Sequence, residues 1–195
     1  DDRRGFTFAA WVRLTGGPDW QRIFDFGNSV TQYLFLTPRS GAGTLRFAIR
    51  NGGPEQIVET GPLTANRWRH VAVTLNAHLG RLYLDGRLVA ENRDITVRIP
   101  DIAPRIHYLG KSHFKDPLFQ GMLDEVLILD SALSATQVAA LPERSPPRVA
   151  AAIPPLAAIA GRAWSDSIAG FVSGNNSEAR WRSEEHTSEL QSRPH

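Results

Sequence analysis

The stretch Arg81-Leu-Tyr-Leu-Asp85-Gly86-Arg-Leu-Val-Ala90 decides the fold class. An Asp-Gly pair stands here between two runs of alternating apolar residues. Type I′ turns need a positive φ at both central residues, which Asp and Gly tolerate, so the pattern predicts a tight β-hairpin. The chain is therefore expected to form antiparallel sheet at this point.

The same alternation of apolar and polar residues continues on both sides of the hairpin. Further strands are predicted at 6–13, 21–26, 32–37, 44–50, 56–59, 68–76, 106–110 and 122–129. Turn residues such as Gly16-Gly17-Pro18-Asp19 separate these strands, and no helical pattern lies between them. Many short strands at this spacing indicate an all-β sandwich or barrel.

One short helix is predicted near 134–141. Ser134 and Gln137 fit a capping box, in which both side chains bond back to free backbone amides. Val138 and Leu141 then share a face, and Pro142 is expected to end the helix.

Composition narrows the classes of function. The chain has 195 residues, of which 42% are hydrophobic and 22% charged, as in a globular domain with a real core. No apolar run approaches the roughly 18–20 residues that span a bilayer, so no membrane partner is expected. The absence of cysteine excludes disulfides and thiolate metal sites. The net charge is only +2 and the basic residues are scattered, so no nucleic-acid partner is expected.

Five segments resemble, in the correct order, the landmarks of laminin-G-like (concanavalin A-like) jelly rolls. They are 6–13, 66–74, 82–86, 121–128 and 133–138. The resemblance implies an antiparallel jelly-roll β-sandwich that occupies residues 1–142. Since the family usually has one or two strands before the first landmark, the sandwich is expected to lack an N-terminal strand and to expose an edge.

Three further segments, 20–26, 35–39 and 109–117, resemble a subgroup of these domains that is appended to secreted bacterial glycoside hydrolases. This resemblance implies a non-catalytic carbohydrate-binding or accessory module, secreted or displayed at the bacterial cell surface. Its expected partners are a polysaccharide or glycan and the catalytic domain of the same parent chain. The alternatives are an adhesion or protein-interaction module of a cell-surface protein, and a structural spacer.

The remainder of the chain has a different character. Residues 143–181 are interpreted as a linker and the start of an immunoglobulin-like module, since 146–171 resembles the opening of such a module. Residues 182–192 resemble the translation of a sequencing-library adapter. Residues 182–195 are therefore interpreted as an artefact that contributes nothing to a site.

Sugars are held by aromatic rings together with a few hydrogen-bonding groups, so loops that carry both are candidate sites. The predicted ligand-binding residues are Asp19, Trp20, Tyr33, Arg39, His113 and Phe114. The alternative is that Trp20 and Phe114 cover the ends of the sandwich while Tyr33 packs in its core. Trp11 and Trp68 are assigned to the core or its edge, because their strands need large apolar residues.

Catalysis is not expected. A glycosidase needs two carboxylates that converge across the sugar, whereas Asp124 and Glu125 are adjacent on a strand and point to opposite faces. Jelly rolls of this kind often hold one structural Ca²⁺, which takes oxygen ligands. Asp124 and Asp116 are the candidate metal ligands, and the alternative is that Asp124 caps a turn or accepts hydrogen bonds from backbone amides.

Overall fold

Residues 5–144 and 178–181 are the part of the chain that the computed structural model describes. The strands in this part are β1 (Gly5–Leu14), β2 (Phe24–Ser29), β3 (Gln32–Thr37), β4 (Leu45–Asn51), β5 (Gln56–Thr60), β6 (Trp68–Asn76), β7 (Leu79–Leu84), β8 (Arg87–Asn92), β9 (Ile106–Leu109), β10 (Gly121–Leu129) and β11 (Glu178–Trp181). Two helices accompany them there, α1 (Ile99–Ile102) and α2 (Ala135–Arg144). The strands predicted at 32–37 and 68–76 are reproduced residue for residue.

The strands form two antiparallel sheets that pack face to face. Sheet A has the strand order β11-β10-β1-β6-β7-β8, and sheet B has the order β5-β4-β3-β2-β9. The first described strand, β1, lies inside sheet A, with β6 on one side and β10 on the other. This architecture confirms the antiparallel β-sandwich predicted from the sequence. The expectation that the sandwich lacks an N-terminal strand stays a prediction.

Four phenylalanines lie at the centre of the core. Phe6 and Phe8 point inward from β1, and Phe24 and Phe26 point inward from β2. The ring centres of Phe8 and Phe24 are 4.4 Å apart, and those of Phe24 and Phe26 are 4.7 Å apart. Because side chains alternate between the two faces of a strand, the residues between them point outward. The residues on the outward side of sheet B therefore do not have to be apolar core residues.

The hairpin that joins β7 and β8 has the predicted geometry. Asp85 and Gly86 take φ values of +49° and +76°, as a type I′ turn requires. The carboxylate of Asp85 also accepts a hydrogen bond from the backbone N–H of His70, at 2.9 Å. A Cβ atom on Gly86 would lie 3.0 Å from the backbone of Ala139, so glycine is needed here for close packing as well as for the turn.

Helix α2 covers the outer face of sheet A. Its capping box is confirmed, since the backbone N–H of Ser134 donates to Gln137 at 2.9 Å and that of Gln137 donates to Ser134 at 3.3 Å. Val138 is fully buried against outward residues of the sheet. The prediction that Pro142 ends the helix is wrong, because the helix continues to Arg144. So close to the C-terminus, a proline costs the helix a single backbone hydrogen bond.

Trp11 and Trp68, which were assigned to the core or near it, do not lie in the core. Both side chains are half-buried, and neither belongs to the core between the sheets. Trp11 stands opposite His70, and Trp68 stands opposite Arg13, on the outward side of β1 and β6. The alternation shows correctly which residues share a face. The face that points into the core, however, carries the smaller Val71 and not the two tryptophans.

Two predictions concern parts of the chain beyond the sandwich. The linker and immunoglobulin-like segment at 143–181 lies outside the described residues except for the end of α2 and for β11. The adapter-like segment at 182–195 lies entirely outside them. Within the described ranges, no helix is long and apolar enough to cross a lipid bilayer.

Candidate functional site

Aromatic side chains cluster on the outward side of sheet B, a surface that we call the aromatic face. Tyr33 and Phe35 point outward from β3, and Trp20 and Phe114 reach them from two loops. The Tyr33 and Phe35 rings are stacked with their centres 5.3 Å apart, and Phe114 meets Tyr33 edge-on at 5.4 Å. Such offset and edge-on pairs stabilise each other beyond the area that they bury. The aromatic face is thus a packed layer on top of the sheet.

Arg22 lies inside this aromatic layer. Its guanidinium carbon is 3.9 Å from the centre of the Phe35 ring, 5.7 Å from that of Trp20 and 5.8 Å from that of Phe114. One terminal nitrogen donates to the backbone carbonyl of Trp20 at 2.6 Å. The side chain is almost fully buried, and this burial lowers the pKa of Arg22 despite nearby carboxylates. Arg22 therefore joins both loops to the sheet.

Two carboxylates compensate the buried Arg22. Asp116 lies 2.8 Å from a terminal guanidinium nitrogen, and Asp25 lies 3.7 Å from Nε. The Ser112 hydroxyl donates to Asp116 at 3.0 Å, and Nδ1 of His113 lies 2.8 Å from Asp25. Since Ser112, His113 and Asp116 belong to one loop, the network fixes the position of that loop over β2.

A second polar group lies at the other side of the aromatic face. The Tyr33 hydroxyl donates to Glu55 at 2.6 Å, and burial together with this bond raises the pKa of Tyr33 to about 12. Arg46 lies 3.7 Å from Glu55 and 2.8 Å from Glu59. Its guanidinium carbon is 5.6 Å from the centre of the Trp20 ring. Hydrogen-bonding groups therefore surround that indole.

Trp20 has an unusual backbone conformation. Its φ is +67°, in the left-handed region that bulky residues rarely occupy. The ring is half-buried and lies so close to Gly41 that a Cβ atom there would be 3.1 Å from Nε1. Beside it, the exposed carboxylate of Asp19 pairs with the Arg39 guanidinium. The loop thus presents an aromatic ring next to an ion pair.

All six predicted ligand-binding residues contribute to the aromatic face or to the loops that border it, but in different roles. Trp20, Phe114, Asp19 and Arg39 remain at least partly accessible. Tyr33 is only 3% exposed, and the His113 side chain is only 5% exposed. These two side chains support the surface from below, and the other four are the ones that solvent reaches.

Sequence reasoning missed Arg22, Arg46 and Glu55. Arg46 alternates with buried apolar residues along β4, a pattern that equally describes an ordinary solvent-facing arginine. Arg22 stands among apolar residues just before β2, and that position was the one available signal that its charge is buried.

The two candidate calcium ligands do not meet. Asp116 is bonded to Arg22 and Ser112 above sheet B. Asp124 lies on the outward side of sheet A, opposite Trp11, where it accepts the backbone N–H of Glu125 at 2.9 Å. Across 5–144 and 178–181, no three histidine, cysteine or acidic residues are grouped so that they could hold a metal ion. Calcium binding stays a prediction, which the melting temperature with and without EDTA would test.

The sandwich agrees with the family to which the sequence is related. The sequence model Laminin_G_3 of the concanavalin A-like lectin/glucanases superfamily matches residues 1–139. The chain belongs to this superfamily. No curated protein matches it significantly in sequence.

Several solved structures share the fold. The chain is similar to domain 4 of AbnA, a GH43 extracellular arabinanase from Geobacillus stearothermophilus in complex with arabinotriose, with a TM-score of 0.58 and 19% identity over 70% of this chain and 65% of that one. It is similar to the CBM40 of the Ruminococcus gnavus IT-sialidase bound to α2,3 sialyllactose, with a TM-score of 0.60 and 19% identity over 71% and 82%.

A third similar structure comes from Bacteroides ovatus ATCC 8483 and is provisionally assigned as a carbohydrate-binding protein. It has a TM-score of 0.52 and 24% identity over 70% of this chain and 40% of that one. The chain thus spans less than two thirds of the length of the arabinanase domain and of the Bacteroides protein. At these identities the likeness establishes the fold.

Proposed function

We propose that this chain provides a non-catalytic carbohydrate-binding module of a secreted bacterial polysaccharide-degrading enzyme. The module binds a glycan on the aromatic face and thereby holds the catalytic domain of the same parent chain on its substrate. The observation that carries this proposal is the conformation and position of Trp20.

A left-handed backbone costs a residue other than glycine about 1–2 kcal/mol. Trp20 bears this cost at φ +67° although glycine would avoid it. Strain of this kind clusters at active sites and ligand clamps, where the surrounding structure holds it in place. Because the indole is half-buried, part of it stays open to solvent. The loop is therefore best explained as a support that presents this ring.

The groups around Trp20 suit a sugar ligand. A sugar ring offers C–H groups that pack on an aromatic face and hydroxyls that exchange hydrogen bonds with charged side chains. Arg46 lies beside the indole, and the Asp19–Arg39 pair borders the same loop. Together they provide both donors and acceptors for hydroxyl groups.

Proteins with the same fold support a glycan as the class of ligand. The arabinanase domain was solved with arabinotriose, and the sialidase module was solved with α2,3 sialyllactose. The arabinanase is also an extracellular enzyme, in line with the proposed secretion.

The state of the carboxylates supports binding rather than hydrolysis. A glycosidase uses two carboxyl groups that face each other across the sugar. On the aromatic face, Asp25 and Asp116 are committed to Arg22, and Glu55 and Glu59 to Arg46. Such pairs are suited to orient a ligand through hydrogen bonds.

Affinity gel electrophoresis of the full chain on immobilised plant polysaccharides, arabinan and arabinogalactan included, tests the proposal. We expect retention by at least one polysaccharide and a loss of about tenfold or more in affinity for Trp20→Ala, since stacked aromatic anchors dominate binding. Trp68→Ala is the matched control, because Trp68 is also half-buried but lies on the outward side of sheet A.

The melting temperature of each variant is measured alongside, and Trp68→Phe replaces the control if Trp68→Ala does not fold. No retention on any polysaccharide, or an equal loss of affinity in both variants, contradicts the proposal.

A further inference from the structure

The aromatic face receives half-buried rings from two different loops, Trp20 from one and Phe114 from the other. The guanidinium carbon of Arg22 is 5.7 Å from the centre of the Trp20 ring and 5.8 Å from that of Phe114. Because both distances start at the same atom, the two ring centres are at most about 12 Å apart. One extended ligand can therefore reach both rings.

The two rings lie toward opposite ends of β3. The backbone N–H of Trp20 donates to the carbonyl of Arg39 at 2.9 Å, two residues beyond the end of that strand. The Phe114 ring meets Tyr33, the second residue of the strand, edge-on at 5.4 Å. A sugar ring is about as large as a phenyl ring, so a single sugar unit does not pack on both Trp20 and Phe114.

An arginine accompanies each of the two rings. The guanidinium carbon of Arg46 is 5.6 Å from the centre of the Trp20 ring. Tyr33 links the other ring to Arg50, because its ring contacts Phe114 and its hydroxyl is hydrogen-bonded to Arg50. Each end of the aromatic face thus combines a ring with N–H donors for sugar hydroxyls.

Arg50 keeps donors that a ligand can use. It stands opposite Tyr33 in the register of β3 and β4, and its Nε donates to the backbone carbonyl of Gly53 at 2.7 Å. A guanidinium carries five N–H groups, so some remain after the bonds to Gly53 and Tyr33. The side chain is half-buried, which leaves part of it open to solvent.

Glu55 provides an acceptor between the two arginines. Its carboxylate accepts the Tyr33 hydroxyl at 2.6 Å and lies 3.7 Å from Arg46. Arg46 and Arg50 are four residues apart along β4, which amounts to about 14 Å of extended strand. Neighbouring six-membered rings have centres about 4.5–7 Å apart, as aromatic pairs do, so this span holds about three of them.

We infer that Trp20 and Phe114 are two platforms of one site, and that its ligand is a run of at least three linked sugar units. This inference rests on the proposed function and specifies the length of its ligand. One unit packs on each platform, and the unit between them exchanges hydrogen bonds with Glu55. A single terminal sugar fills only part of such a site.

Isothermal titration calorimetry of the full chain tests the inference. The probes are oligosaccharides of one to six units, released from arabinan, arabinogalactan and any other polysaccharide that retains the chain. We expect the affinity to rise by about fivefold or more from the disaccharide to the tetrasaccharide, because the second stacked ring adds to binding. From the tetrasaccharide to the hexasaccharide it should change by less than about twofold, because both platforms are then filled.

Variants at the second platform test the physical cause. Phe114→Ala should weaken tetrasaccharide binding by about fivefold and disaccharide binding by less than twofold, because Trp20 still holds the shorter ligand. Arg50→Gln should show the same pattern, and it lies on a strand, so it does not depend on how the Phe114 loop responds to substitution. Leu118→Ala is the control, because Leu118 is 55% exposed in the same loop and does not pack on the aromatic face.

The outcomes separate this inference from the proposed function. Equal affinities for the disaccharide and the tetrasaccharide overturn the inference and leave glycan binding intact. Equal losses for both ligands in Phe114→Ala and in Arg50→Gln show that these residues only support the Trp20 platform, which also overturns it. Binding of no oligosaccharide and no polysaccharide overturns the inference together with the proposed function.

Discussion

The guanidinium carbon of Arg22 lies 3.9 Å from the centre of the Phe35 ring. Arg22 thereby connects β3 to the loop of Trp20 through a carbonyl and to the loop of Phe114 through Asp116. A single buried cation thus determines where both loops lie.

Replacing Arg22 by lysine should destabilise the domain. Lysine keeps the charge but cannot bond to several partners in a plane or stack on a ring. We expect Arg22→Lys to lower the free energy of unfolding by about 2–3 kcal/mol, and Arg22→Met by about 3–5 kcal/mol, because the buried Asp25 then loses its guanidinium partner. Urea denaturation measures both changes.

The exposed pair on the same face provides the control. Arg39→Lys alters a pair whose side chains are each 41% exposed, so its effect should stay below about 1 kcal/mol. If Arg22→Lys is as mild as Arg39→Lys, Arg22 does not organise the loops.

The strain at Trp20 predicts an unusual order of stabilities. Glycine adopts a φ of +67° freely, whereas alanine does not. The free energy of unfolding should therefore be about 1 kcal/mol higher for Trp20→Gly than for Trp20→Ala. Both variants lose the indole and should lose glycan binding equally. Urea denaturation of the two variants in parallel measures the difference, and the reverse order would show that the loop is not strained.

The close approach of Gly41 to the indole predicts a positional effect. A methyl group on Gly41 would lie 3.1 Å from Nε1 of Trp20, so the ring has to move by a few tenths of an ångström. Gly41→Ala should weaken glycan binding severalfold while stability changes by less than about 1 kcal/mol. Gly61→Ala serves as the control, since nothing lies within 4 Å of the added group. Equal affinities of the two variants would contradict a requirement for precise ring placement.

Two histidines with lowered pKa values predict how stability depends on pH. Burial lowers the pKa of His70 from 6.5 to about 4, and burial together with His113 does the same for His107. Between these values the unfolded chain binds protons that the folded chain excludes, so the free energy of unfolding falls as the pH drops from 6.5 to 4. For His70, which is 3% exposed, the loss amounts to about 3 kcal/mol and levels off below pH 4.

His70→Gln isolates this contribution. The variant should show a shallower decline between pH 6.5 and pH 4, whatever its stability at neutral pH, and urea denaturation at several pH values records the slope. A slope identical to that of the unchanged protein would mean that His70 accepts its proton in the folded state.

The strands were predictable because alternation is a local property of the sequence. β3 and β6 were predicted residue for residue, and the Asp85-Gly86 turn follows from the two residues that form it. Helix α1 was missed because four residues are too few for a helical period. The end of α2 was predicted wrongly because a helix tolerates a proline in its last turn. The sequence pattern does not show at which residue the helix ends.

The site was predictable in part, for a similar reason. Loop aromatics such as Trp20 and Phe114 can be recognised from the turns around them. The buried position of Arg22 depends on partners that are close in sequence, such as Asp25, and on one that is distant, Asp116. Because distant partners are unknown before the fold is known, charge burial could not be derived from the strand pattern.

Helix α2 gives the domain a front and a back. It covers the outer face of sheet A, so the chain reaches Arg144 on the side of the sandwich opposite to Trp20. A polymer that runs across the aromatic face can extend past both edges of sheet B without crossing this helix. Under the proposed function, a catalytic domain joined through Arg144 would start from the back, where it need not compete with a long glycan chain for the same space.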